Sequence, residues 1–152
     1  MKRLVVLILL VAAAAVAYRV HRERQAPLRA LTSYADAVAR GRHDLARQFA
    51  DGELAGAAAG ERHSRAGWVP VEALRSIGYR VDSRSESAGG REVSLDVTQT
   101  VGFNPPGVES ALRPAMKATF RLRATVRRTA AGWRVAAFTS EFVAADEVST
   151  RP

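Results

Sequence analysis

Tyr79, Gln99 and Glu141 are the residues whose types suit an acid–base or small-ligand pocket. A three-residue hairpin loop at Ala88–Gly90 sets Val81 opposite Val97 and Tyr79 opposite Gln99. A second hairpin, turning at 129–132, pairs Val126 with Val135, Ala124 with Ala137 and Phe120 with Glu141. Gln99 and Glu141 then point to the otherwise apolar faces of their strands. A carboxylate buried there would titrate high and act as a base, with Tyr79 as its partner. The structural reading competes directly. Glu141 lies near a strand end and reaches water, while Tyr79 and Gln99 satisfy each other.

Other chemistry is thinly represented. The three histidines, His21, His43 and His63, have no carboxylates at ligand spacing, so neither metal nor cofactor is expected. The chain has no cysteine, which excludes disulfides and thiolate catalysis. There is no nucleophile elbow and no phosphate-cradling loop. Gly89-Gly90 is a turn feature, and Ser64, between His63 and Arg65, has no orienting context.

Arg121, Arg123 and Arg127 alternate with Phe120, Leu122, Ala124 and Val126, which puts the arginines on one face of a strand. The hairpin register brings Arg134 opposite Arg127 and Phe138 opposite Arg123, where a cation–π contact could form. The preceding strand offers Glu92, Ser94 and Asp96 on its own polar face. The register compatible with both apolar faces sets Asp96 opposite Arg123 and Glu92 opposite Arg127. The row is therefore a solvated, largely charge-matched surface. Arg121 and Arg134 are its least compensated members. With Phe138 and Phe142 they form the candidate partner surface, through which the sheet could also dimerise.

The elements that must hold these residues follow from periodicity. Pro27 suits a helix first turn, and Leu28, Leu31, Tyr34, Ala35 and Val38 recur at helical spacing until Gly41. His43 to about Ala59 forms a second helix, which Asp51-Gly52 interrupts. Gly60–Gly67 is a polar loop, and Pro70–Ser76 a short helical turn. The period then changes to two, with strands expected at 77–86, 91–103, 116–128 and 133–144. The proline-bearing stretch FNPPGVESALRPA joins the middle pair. The fold class is α+β: N-terminal helices packed on a curved four-stranded antiparallel meander, preceded by one hydrophobic membrane segment. The units are 1–24, the anchor or signal with its basic flank; 25–144, the domain; and 145–152, a polar, frayed tail.

The helix pair YADAVARGRHDLARQFADGE (34–53), followed by strands ending in GWRVAAF (132–138), resembles the nuclear transport factor 2-like superfamily over about 27–144. The resemblance implies a sheet wrapped on helices as a cone with a pocket. Its members include isomerases, dehydratases, ligand binders and non-catalytic adaptors, and envelope-anchored members serve as assembly domains. The superfamily's Asp/His base pair has no match here, so no catalytic residue carries over. The cystatin-type arrangement, one helix on a meander, is a near neighbour.

Residues 4–17 read LVVLILLVAAAAVA behind Lys2 and Arg3, and Tyr18 extends the apolar run to 15 residues. A charged start and a run of this length fit a secretory signal, with Ala15-Val16-Ala17 as a cleavage site. Arg19, His21, Arg22 and Arg24 follow at once and favour a retained anchor, although a bilayer is spanned comfortably by roughly 20 residues. Half of the net charge of +8 flanks this segment, and 21 of the 23 basic residues are arginine. With no binding motif beside it, that excess gives no ground for nucleic-acid binding.

These features favour a membrane-anchored, non-enzymatic accessory, assembly or small-ligand-binding domain of the bacterial cell envelope. It would be single-pass in the inner membrane through residues 4–18, with its domain in the periplasm or outside the cell. Its partner would be an envelope protein or a small apolar ligand. The alternatives are a cleaved, secreted ligand-binding protein of the same fold, and an isomerase-like or dehydratase-like enzyme using Glu141 with Tyr79.

Overall fold

The computed structural model describes residues 2–56, 71–104 and 115–148, and of residues 2–8 and 71 the backbone alone. One helix, α1 (Lys2–Ala39), takes in both the apolar run and the amphipathic stretch after it. The expected start at Pro27 is thus corrected: Pro27 is buried inside α1. It withholds the N–H that the Glu23 carbonyl would accept, a local loss. Alanine-rich flanks and docking against the sheet outweigh it. Gly41, at φ 65°, ends the helix. Its N–H bonds the Val38 carbonyl at 3.1 Å, and the Arg42 N–H bonds Ala37 at 2.8 Å, a Schellman closure that needs a left-handed residue. Asp36 accepts from Arg40 at 3.0 Å and from Arg42 at 2.9 Å, tying the turn to the helix.

Next come α2 (His43–Phe49) and α3 (Gly52–Gly56), separated by Ala50, which is extended, and Asp51; α3 opens on Gly52 at φ 56°. The single helix expected from His43 is split where Asp51-Gly52 predicted a break. The expected loop at Gly60–Gly67, with His63 and Ser64, lies outside the described residues, as does most of the proline-bearing loop.

A 3-10 turn (Val71–Ala73) leads into β1 (Leu74–Glu86), β2 (Glu92–Phe103), β3 (Met116–Thr129) and β4 (Gly132–Glu147). They form one antiparallel meander in the order β1-β2-β3-β4. The fold class is therefore α+β, with helices on a four-stranded sheet. On β2 and β3 the alternation is regular: Val93, Leu95, Val97, Val101 and Phe103, then Ala118, Phe120, Leu122, Ala124 and Val126, are all buried. Leu31, Tyr34, Ala35 and Val38 of α1 complete the core. The outer strands are less regular. The register shifts between Val81 and Ser83 on β1, and twice along the β3–β4 ladder. The tail expected from Ala145 is shorter than anticipated, because β4 pairs with β3 through Glu147.

The N-terminal half of α1 stands apart from this core. Leu9, Leu10, Val11 and Val16 are each 63% exposed, whereas Pro27, Leu31 and Tyr34 are buried. Among the described residues no helix is long and apolar enough to cross a membrane. The apolar run itself begins at Leu4, five residues before the first described side chain.

Candidate functional site

The sheet brings Tyr79 and Gln99 together as the first hairpin required. They are paired across β1 and β2, and the Gln99 amide donates to the Tyr79 hydroxyl at 3.0 Å. That hydroxyl donates in turn to the Thr32 carbonyl of α1 at 3.4 Å. Gln99 is completely buried, the one polar residue of the described core, because its position on β2 falls on the inward beat of the pleat. Two polar atoms here are buried without a hydrogen-bond partner among the described residues: Gln99 Oε1 and the Tyr34 hydroxyl. Tyr34 packs edge-on against Phe138, ring centroids 5.1 Å apart. Burial pushes its hydroxyl pKa up to about 12. Helical spacing alone makes Tyr34 one member of an apolar stripe. Its place between Leu31 and Val38 was the signal that the phenol would enter the core.

Glu141 does not join them, which corrects the expected pocket. Between Val135 and Ala137, β4 carries one residue more than β3, so Val126 pairs with Val135 but Thr125 pairs with Ala137. From that bulge to the second one, at Val143, the side chains of β4 take the opposite face. Ala124 faces Phe138 rather than Ala137, and Phe120 faces Phe142 rather than Glu141. Glu141 is exposed, opposite Arg121 on the outer face. The driving forces are plain. The shift buries Phe138 in place of Ala137 and leaves a carboxylate in water.

The same shift divides the expected partner surface. Arg121 and Arg134 are on the outer face, but Phe138 is in the core and Phe142 on the core side. The Phe142 and Phe120 rings meet edge-on at 5.7 Å, although Phe142 is still 43% exposed. Phe138 therefore cannot lie over Arg123, which faces Thr139 instead.

On the outer face the charge matching follows the register. Asp96 lies opposite Arg123 and Glu92 opposite Arg127. Arg127 Nε donates to Glu92 at 2.6 Å, and Arg123 Nε stands 3.7 Å from Asp96. Glu92 raises the Arg127 pKa by accepting that bond. Asp82, the extra residue of the β1 bulge, accepts from the Thr98 hydroxyl at 2.5 Å and from Arg80 at 3.0 Å. The Thr98 bond, and after it Arg80, hold its pKa below the usual carboxylate range. Arg134 stays opposite Arg127 as expected, with Nη1 donating to the Trp133 carbonyl at 3.0 Å. Pairs this exposed fix geometry more than they stabilise, at roughly 0–1 kcal/mol each.

Among the described residues no three His, Asp or Glu side chains converge where they could hold a metal ion. No family model matches the chain, and no curated protein matches it. A solved structure, the intermembrane space region of the chloroplast protein ARC6, is similar at 15% identity and a TM-score of 0.45. The likeness covers 80% of this chain and 96% of that one. A likeness of that degree transfers neither a fold nor a function.

Proposed function

We propose that this chain is a membrane-anchored, non-enzymatic domain of the cell envelope, acting as an accessory or assembly module. The observation that carries the reading is the uncovered apolar half of α1. Leu9 to Val20 extends from the core as continuous helix, apolar around its whole circumference up to Tyr18, and exposed. A helix of that character is stable when an apolar medium surrounds it. From Leu4 to Tyr18 it is about 22 Å long, at 1.5 Å per residue. That is short of a hydrocarbon layer of about 30 Å, and membranes meet such mismatch by thinning and by snorkelling of flanking basic residues. Lys2, Arg3 and Arg19 are placed in sequence to do so.

The non-enzymatic part rests on the division of the polar residues. Tyr79 and Gln99 bond each other in the core, while Glu141 is on the opposite face of the sheet. A base and its partner thus have no shared cavity. The exposed sheet face and its arginines are then available to an envelope protein.

The test is alkaline extraction of membranes from cells producing the intact protein, with N-terminal sequencing of the product. Retention in the membrane with residues 1–18 in place is expected. A soluble product beginning at Tyr18 defeats the anchor and favours the secreted alternative. Glu141→Gln and Tyr79→Phe should leave cellular function intact, and loss of function in both would restore the enzyme reading.

A further inference from the structure

The end of the sheet from which α1 departs is basic. We infer that this end, formed by the two hairpin tips, docks on an anionic lipid bilayer surface. The inference rests on the anchored reading and adds an orientation and a lipid class to it.

Val20 and Arg24 of α1, Gly90 of the β1–β2 hairpin, and Arg128 and Trp133 of the β3–β4 hairpin line one depression. Both tips therefore lie beside the stretch of α1 that leads to the apolar run. The β1 bulge helps to hold them there. It turns Arg84 to the helix side, where Nη1 donates to the Arg24 carbonyl at 2.5 Å.

The carboxylates at this end are taken. Glu23 pairs with Arg19, Glu86 with Arg84 and Glu92 with Arg127. Arg22, Arg24, Arg91 and Arg128 are exposed and make no ion pair among the described residues. Trp133, half-buried beside them, is of the type that favours the headgroup layer.

Distance decides whether these charges reach the lipid. Arg24 is six residues beyond Tyr18, about 9 Å along the helix. Surface potential acts over about 8–10 Å at physiological salt. A short anchor draws its flank closer still. Arg22 and Arg24 thus fall within range of anionic headgroups, and Arg128, with Arg91 next to Gly90, stands at the depression that Arg24 also lines, whereas the far end of β3 is about 36 Å along the strand from Arg128 at about 3.3 Å per residue.

The chain has no cysteine, so single labels can be placed in the full-length protein. Ala130→Cys labels a hairpin tip and Lys117→Cys the far end. Each is reconstituted into vesicles of phosphatidylcholine with or without phosphatidylglycerol, and energy transfer to a headgroup dye is read. Strong transfer is expected at position 130 with phosphatidylglycerol, and weak transfer at 117. The signal at 130 should fall in phosphatidylcholine alone and in about 1 M salt, where screening shortens to about 3 Å. Arg91→Gln and Arg128→Gln should each lower the ratio of docked to undocked protein roughly fivefold. Transfer at 130 that ignores lipid charge and salt, or that equals transfer at 117, overturns the docking. Failure of the chain to enter either vesicle overturns the anchor itself. The salt comparison uses one unchanged labelled protein, so misfolding of a variant cannot mimic the result.

Discussion

Tyr34 carries a hydroxyl into the core and finds no partner there among the described residues. A buried donor left unmet costs about 1–3 kcal/mol. Tyr34→Phe keeps the edge-on ring contact with Phe138 and removes that cost, so urea unfolding should show a gain of about 1 kcal/mol. The same phenol makes stability pH-dependent. Its folded pKa, about 12, is above the unfolded value of about 10. The unfolded chain therefore loses this proton first. The contribution is fully present below pH 10 and is lost as pH rises toward 12, on the order of 2 kcal/mol. Tyr34→Phe should flatten that alkaline limb, and an unchanged limb would place the titration elsewhere. Tyr79 and Gln99 call for a double-mutant cycle. Tyr79→Phe strands the Gln99 amide and should cost about 1–2 kcal/mol, whereas adding Gln99→Met should recover part of the loss, a coupling of about 1 kcal/mol. The Tyr79–Gln99 pair was legible because β2 alternates without a break. The isolation of the Tyr34 hydroxyl was not, since periodicity places a ring but says nothing of what surrounds its oxygen.

Strand β4 shows what a single inserted residue does to an element. Ala136 is the extra residue, and at the kink the Val135 carbonyl accepts the Asp51 N–H at 2.8 Å. The bulge thus fastens the α2–α3 connection to the sheet edge and also exchanges Ala137 for Phe138 in the core. Deleting Ala136 would set Val135 and Phe138 two apart, so simple alternation would keep both in the core and Glu141 outside; the place the bulge gives Phe138 is tested by truncating that ring. Losing a buried phenylalanine costs about 3–5 kcal/mol. Phe138→Ala should therefore lower the unfolding free energy by about that range in a denaturant titration, with Glu141→Ala changing it by no more than about 0.5 kcal/mol, and equally small losses at both would mean that the bulge does not place Phe138 in the core. A signal for the bulge was present in the spacing: Val135 and Phe138 are three apart, and a period of two cannot bury both. Over 91–103 and 116–128 no such conflict exists, and there the expected Asp96–Arg123 and Glu92–Arg127 pairings are observed. On β1 the residues after Val81 are polar on both faces, so nothing in their pattern specified the shift that turns Arg84 toward α1.

At the scale of the molecule, α1 is one helix with two environments. From Pro27 onward its apolar side packs on the sheet; from Leu9 to Val20 its apolar side chains are exposed. The sequence separated the halves by composition, reading an anchor and then an amphipathic helix, but placed a boundary at Pro27 where the backbone has none. A proline's missing N–H is a local loss, and helix on either side can absorb it. If the N-terminal half contributes nothing to the core, removing residues 1–19 should leave the unfolding free energy within about 0.5 kcal/mol, the range of surface changes that disturb no packing. The Arg84 contact with Arg24 is retained in that truncation. The truncated chain should also stay in the soluble fraction where the intact chain sediments with membranes. A loss of 2 kcal/mol or more would instead make the apolar half a structural helix that another part of the chain covers, and the anchor would fall with it. Unchanged stability together with lost sedimentation would separate the two duties of α1: one half builds the domain, and the other holds it at the membrane.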